Sequence, residues 1–150
     1  MSFDKTIEIK NKRASFEYAF LEKYIAGMIL TGTEIKSIRN GKANITDGFC
    51  VFEKEELIVR NIQINEYEKG THYNHEPKRD RKLLLKKSEL RKLQGNLADQ
   101  GLTIIPLRLF ISEKGWAKLE ITLAKGKKTF DKRADIKKKD LQRETARRFK

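Results

Sequence analysis

Apolar and polar residues alternate over much of the first 124 positions, the period of strands with one buried face. The pattern is strongest in Ile105 to Ile111, where Ile105, Leu107, Leu109 and Ile111 share a face, and in Ala117 to Leu123, where Ala117, Leu119, Ile121 and Leu123 do. Glu113-Lys114-Gly115 joins them as a hairpin, and unbroken alternation turns Arg108, Phe110, Trp116 and Lys118 outwards. Thr6 to Lys10 predicts a short strand with Ile7 and Ile9 on one side. Phe49 to Phe52 and Leu57 to Ile64 predict two more, joined by the solvated hairpin tip Glu53-Lys54-Glu55-Glu56. Arg13 to Leu30 holds Phe16, Tyr18, Phe20 and Ile25 without a helical stripe, and predicts two strands meeting near Glu22-Lys23.

Two segments carry helix signals. Thr31 to Gly41 predicts about two turns, with Thr33 capping the first amides and Gly41 taking the left-handed C-terminal position. Ile35 and Ile38 share its buried side, which leaves Glu34, Lys36, Ser37 and Arg39 towards solvent. Ser88 to Gln100 predicts a second helix, capped by Ser88, stopped by Gly101 and buried through Leu90, Leu93 and Leu97. Between these regions, Glu66 to Lys82 holds no period, which predicts a functional or mobile loop. Several short strands with few helical crossovers imply a mainly β protein, an OB-fold-like closed barrel with two or three short helices.

Charge changes this picture at the C-terminus. Lys125 to Lys150 carries twelve Lys or Arg against four Asp or Glu, +8 of the chain's +13, and no stretch able to fill a core. Such a segment repels itself and becomes ordered where phosphates neutralise it. The implied organisation is a folded body over 1–130 and a basic tail over 131–150, disordered when free. A pI near 9.8 points to a polyanion, most simply nucleic acid. No apolar run approaches the roughly 18 residues of a membrane span, and MSFDKTIEIKNKR lacks a secretory h-region, so no membrane association and a cytoplasmic location are expected.

The catalytic and metal-binding inventory is thin. Cys50, the only cysteine, allows no intrachain disulfide and no cysteine-based zinc site, and its place in Phe49-Cys50-Val51-Phe52 predicts a packed strand residue. His72 and His75 have an HxxH spacing but no evident third ligand, so a polar loop is expected rather than a metal site. No GxxxxGK[ST], GxSxG or HExxH motif is present; the expectation is a protein that is not an enzyme and needs no cofactor.

Three basic clusters stand outside the tail: Lys10, Lys12 and Arg13; Lys36, Arg39 and Lys42; and Lys78, Arg79, Arg81 and Lys82. Each alone reads as a solvated surface. Interleaved with Tyr18, Phe110 and Trp116, they suit folded RNA, which is held through phosphates, ribose hydroxyls and stacking. Glu34 among these cations is either an acceptor for a base or ribose group, or a helix-start carboxylate favoured by the dipole.

Three blocks occur in order: Gly32 to Asn44 (GTEIKSIRNGKAN), His75 to Leu85 (HEPKRDRKLLL) and Lys125 to Arg133 (KGKKTFDKR). With them the chain resembles the SsrA-binding protein family, also called small protein B, over almost its full length. The resemblance implies an RNA-binding adaptor with an OB-fold body. The body binds the tRNA-like domain of transfer-messenger RNA and delivers it to stalled ribosomes for trans-translation. The tail becomes helical in the small-subunit decoding centre and empty mRNA channel, against rRNA. Elongation factor Tu and alanyl-tRNA synthetase are implied as indirect partners through the charged RNA, and the protein as a monomer.

Carried onto this chain, the RNA-binding residues are Lys12, Arg13, Glu34, Lys36, Ser37, Arg39, Lys42, Asn44, Arg79, Arg81, Lys82, Lys125, Lys127 and Lys128. The ribosome-binding tail residues are Phe130, Asp131, Lys132, Arg133, Ile136, Lys137, Lys138 and Lys139. Phe130 stands where relatives often have another aromatic or His, which keeps stacking and removes a polar bond. Two other readings remain open at this point: a ribosomal or assembly protein anchored to rRNA by its tail, and a metal-dependent nuclease on a similar barrel.

Overall fold

The long alternating runs near the end of the chain pair with each other and organise the rest of the sheet. A computed structural model describes residues 7–70, 74–98 and 101–127. Over these residues the order is β1 (Glu8–Lys10), α1 (Ala14–Glu17), β2 (Tyr18–Met28), α2 (Gly32–Arg39), β3 (Ala43–Asn44), β4 (Phe49–Glu53), β5 (Glu56–Arg60), β6 (Gln63–Ile64), β7 (Arg81–Leu84), α3 (Lys87–Asn96), β8 (Leu102–Ile111) and β9 (Ala117–Gly126). The fold is mainly β, with few and short helices. Its larger sheet runs β1-β8-β4-β5-β7-β2-β9, and β9 also pairs back onto β8.

The β8–β9 hairpin forms as expected, with Gly115 at φ +85° in its turn. Its register shifts between Pro106 and Arg108, however, and that bulge inverts the facing of the strand. Ile104, Leu109 and Ile111 enter the main core, while Ile105 and Leu107 join a second cluster with Ala14 and Ala124. The expected single apolar face of β8 is therefore split between two cores. In β9 the alternation holds, and Ala117, Leu119, Ile121 and Leu123 all reach the main core. Trp116 is exposed, and the Arg108 guanidinium lies 4.3 Å from the centroid of the Phe110 ring.

The predicted turn at Glu22-Lys23 is not a turn. One helical turn precedes a single eleven-residue strand that pairs with β9, and the irregularity is absorbed as a register shift between Phe20 and Glu22. Glu22 accepts from the Tyr24 hydroxyl at 2.6 Å and pairs with Lys92 at 3.3 Å, which ties α3 to β2. The Tyr24 hydroxyl is pushed up to about 12, first by burial and then by this carboxylate.

The stretch from Leu57 to Ile64, expected as one strand, breaks at Asn61, whose φ is +62°. The β4–β5 hairpin closes at Glu53–Glu56 as predicted. Helix α3 starts after Lys86 rather than being capped by Ser88, because Glu89 Oε1 accepts the Lys86 N–H at 3.2 Å. Its Leu93 is fully buried, with Leu90 and Leu97 packed against the core. Cys50 is buried in β4, and burial alone pushes its thiol well up.

Candidate nucleic-acid interface

Helix α2 is fixed from its first turn. Thr31 Oγ1 accepts the Glu34 N–H at 3.4 Å and Glu34 Oε1 accepts the Thr31 N–H at 2.9 Å, a reciprocal capping box. The expected cap, Thr33, instead places its hydroxyl 2.9 Å from His75 Nδ1. At the other end Gly41 adopts φ +71°, its N–H donates to the Ile38 carbonyl, and Lys42 N–H donates to the Ser37 carbonyl.

The expected solvent exposure of Glu34 and Ser37 is corrected, since both are buried. Glu34 sits beneath the helix, accepting from Arg79 Nη2 at 2.6 Å and from Arg81 Nε. Arg81 is itself fully buried and donates to the carbonyls of Ile62 at 3.2 Å and Pro77 at 3.1 Å. Burial pushes the Glu34 carboxyl up, but the bonds from Arg79, the Thr31 amide and Arg81 outweigh it and hold its pKa below the ordinary value. Burial lowers the Arg81 value, against the opposing pull of Glu34. A carboxylate engaged on both oxygens in this way braces the helix from beneath.

His75 lies in a loop, as expected, but its side chain is buried. Its Nε2 lies 2.8 Å from the Ile64 carbonyl. A carbonyl only accepts, so Nε2 carries a proton, and in the neutral ring Nδ1 accepts from the Thr33 hydroxyl. His75 thereby joins β6, α2 and the 65–80 segment. Asn74 pins the same segment, donating to the Tyr67 carbonyl at 2.8 Å and accepting the Tyr67 N–H at 3.2 Å. His72 lies outside the described residues.

On this foundation α2 presents cations. Lys36 is exposed, with Nζ 5.4 Å from the centroid of the Tyr67 ring. Arg39 is half-buried, and Lys42 and Asn44 are exposed at the start of β3 and along it. Asn44 Oδ1 accepts the Thr46 N–H at 2.9 Å and so leads the surface towards α1. There, a cavity of about 190 Å³ separates Thr46, Asp47 and Gly48 from Asn11, Ala14 and Tyr18. Lys12 and Arg13 are exposed beside it. Lys127 is fastened to α1, its N–H donating to the Glu17 carbonyl and its Nζ to the Ser15 carbonyl at 2.8 Å. Lys125 is exposed on β9 opposite Ala19.

Thus Lys36, Arg39, Lys42 and Asn44 follow one another along α2 and into β3, while Lys12, Arg13 and Lys127 flank α1 and Lys125 lies on β9. Arg79 and Arg81 support α2 from below. Lys82 belongs to neither set: it points to the other side of β7 and bonds Glu56 at 2.9 Å. Lys128 and the tail residues Phe130 to Lys139 lie outside the described residues. Thr31, Tyr67, Asn74 and the supporting role of His75 were missed from sequence; only the Thr31-x-x-Glu34 spacing carried a local signal. Among the described residues no group of three or more His, Cys, Asp or Glu is placed to hold a metal ion, and no helix is long and apolar enough to cross a membrane.

Fold and surface together define a mainly β protein that presents a cationic face on a short helix braced by a buried ion pair. The chain belongs to the SmpB protein family, whose sequence profile matches residues 8–150. An SsrA-binding protein of Flavobacterium psychrophilum is 60% identical over 143 residues, 95% of each chain. That of Cytophaga hutchinsonii is 58% identical over 143 residues, 95% of this chain and 94% of its own. The SsrA-binding protein of Geobacillus thermodenitrificans is 50% identical over 141 residues, 94% of this chain and 90% of its own. A chain from the solved structure "tmRNA-SmpB: a journey to the center of the bacterial ribosome" has a TM-score of 0.70 and 47% identity, over 83% of this chain and 87% of that one.

Proposed function

We propose that this chain is a non-enzymatic RNA-binding adaptor that binds the tRNA-like domain of transfer-messenger RNA and carries it to stalled ribosomes for trans-translation. The carrying observation is the bracing of α2 by Glu34, Arg79 and Arg81, which holds Lys36, Arg39, Lys42 and Asn44 in one fixed array. A fixed array suits recognition of a folded RNA by shape, since its ordering cost is met when the protein folds. Lys12, Arg13, Lys125 and Lys127 extend the same surface to phosphates. The ring of strand pairings from β8 through β4, β5, β7, β2 and β9 back to β8 supports an OB-like barrel as the body.

Residues 1–130 form that body in this reading. Residues 131–150 are the segment that becomes helical in the decoding centre and empty mRNA channel, with Phe130 stacking at its entrance. Elongation factor Tu and alanyl-tRNA synthetase meet the protein through the charged RNA, in the cytoplasm.

The test is a salt-dependent titration of the purified chain against the tRNA-like domain and an ordinary tRNA. A preference for the tRNA-like domain that persists at physiological salt is expected, because counterion release alone weakens both alike. Equal affinities that collapse together overturn the reading. Removal of Ala134 to Lys150 is expected to leave this affinity largely intact and to abolish peptide tagging; a large loss of RNA affinity refutes the division between body and tail.

A further inference from the structure

Strands β5 and β7 pair at Ile58–Lys82 and Val59–Arg81, and β7 then continues on β2 through Met28–Leu83 and Gly27–Leu84. Beyond Lys82 the two strands splay, and α3 spans the opening, with Gln94 Nε2 donating to the Lys54 carbonyl at 3.4 Å. A cleft of about 800 Å³ results. Its floor is Leu57 and Leu83, both buried, and Leu84, Leu85 and Leu90 continue the apolar surface up the walls. Lys54, Lys87 and Arg91 stand exposed at its rim, and none forms a salt bridge among the described residues; Glu55 is the one exposed carboxylate beside them that is likewise unbridged, so the rim stays net positive. Lys82, also at the rim, is already neutralised by Glu56.

The chemistry of this lining selects its occupant. Five leucines and no aromatic ring line the cleft, so it offers bases no ring to stack on, whereas aliphatic side chains are favoured on the leucine floor. The cations at the rim favour carboxylates flanking those side chains. The site also lies away from the braced helix: β7 begins under α2 with Arg81 and ends at the cleft with Leu84. We propose that this cleft docks a short acidic, leucine-bearing segment of a protein partner, at the same time as RNA occupies the α2 face. The proposal goes beyond the adaptor function: only the simultaneous occupation by RNA rests on that reading, and the docking itself is tested without RNA.

The experiment uses the full chain and a fluorescein-labelled octapeptide alternating leucine and glutamate, followed by anisotropy and by leucine-methyl NMR. Saturable binding is expected, with shifts at the Leu84, Leu85 and Leu90 methyls. In the Lys87→Glu/Arg91→Glu variant the affinity falls by about tenfold, as two exposed attractions become repulsions. Both positions are exposed on α3, and an unchanged circular-dichroism melt confirms the fold; Leu90→Ala is the second variant and also weakens binding. Absence of saturable binding overturns the proposal. So does equal binding of a leucine–lysine octapeptide, binding of octauridylate at the same methyls in place of the acidic peptide, or methyl shifts confined to residues outside the cleft.

Discussion

Replacing Glu34 by Ala removes the one carboxylate between two guanidiniums, one of which is fully buried. Arg81 keeps its bonds to the Ile62 and Pro77 carbonyls but loses its counter-charge, a loss that costs about 3–5 kcal/mol for a buried pair. The Thr31 N–H also loses its acceptor, which weakens the start of α2. Against a total stability of about 5–15 kcal/mol, this is a large fraction. It corresponds to a melting temperature lower by roughly 10 °C for a chain of this size. Gln in place of Glu keeps the volume but turns an amide N–H₂ towards a guanidinium, so most of the loss is expected there as well. Urea unfolding followed by circular dichroism measures the effect, alongside RNA binding well below the melting point. Lys36→Ala is the contrast: RNA affinity falls while stability moves by about 0.5 kcal/mol or less. An unfolding free energy for Glu34→Ala within about 1 kcal/mol of the unsubstituted chain, accompanied by weaker RNA binding, refutes the argument and makes Glu34 a direct contact. Acid supplies the same test without a substitution. With a folded pKa below its ordinary 4.5, Glu34 contributes stability that is fully present above the unfolded value and lost as the pH falls through the folded one.

Two further outcomes follow from the packing. Gly48→Ala places a methyl hard against Ile62 Cγ2 and 2.9 Å from Pro106 Cγ, and is expected to destabilise by about 1–3 kcal/mol in urea titration; an unchanged midpoint contradicts the close approach of this loop to β8. Tyr24, pushed up to about 12, is expected to ionise late, and its contribution to stability is present below the unfolded value and lost as the pH rises through the folded one. Absorbance at alkaline pH follows the ionisation, and loss of that late step in Tyr24→Phe confirms the assignment; an unaltered titration rejects it.

The strands of the final hairpin were legible because β9 buries one face against the core throughout, so a period of two survives in its sequence. β8 shows where that logic stops. Ile105 to Ile111 alternate without a break, yet the bulge at Pro106–Arg108 sends the two halves to different cores, and which pairing absorbs an extra residue is settled by the neighbouring strand. Glu22-Lys23 failed for a related reason: two adjacent charges favour a turn locally, but pairing along β9 and bonds to Tyr24 and Lys92 make them strand residues. The basic residues of α2 stand out by type and spacing, and Glu34 was weighed between an acceptor for RNA and a helix-start carboxylate; the structure shows the capping box and adds two guanidiniums beneath it that no local pattern announces.

By itself the sequence determined the β-rich class, the basic balance, the family through its three ordered blocks, and the positions of α2 and the last hairpin, because periodicity, charge and local caps are written in neighbouring residues. The tertiary structure decided what each charge does. Glu34 and Arg81 read in sequence as surface groups, but contacts spanning more than forty residues bury them together, while Lys82, one position from Arg81, points to the opposite side of its strand. The physical reason is that a side chain's solvation and partners are set by residues distant in sequence, and in a strand each step of one residue reverses the face.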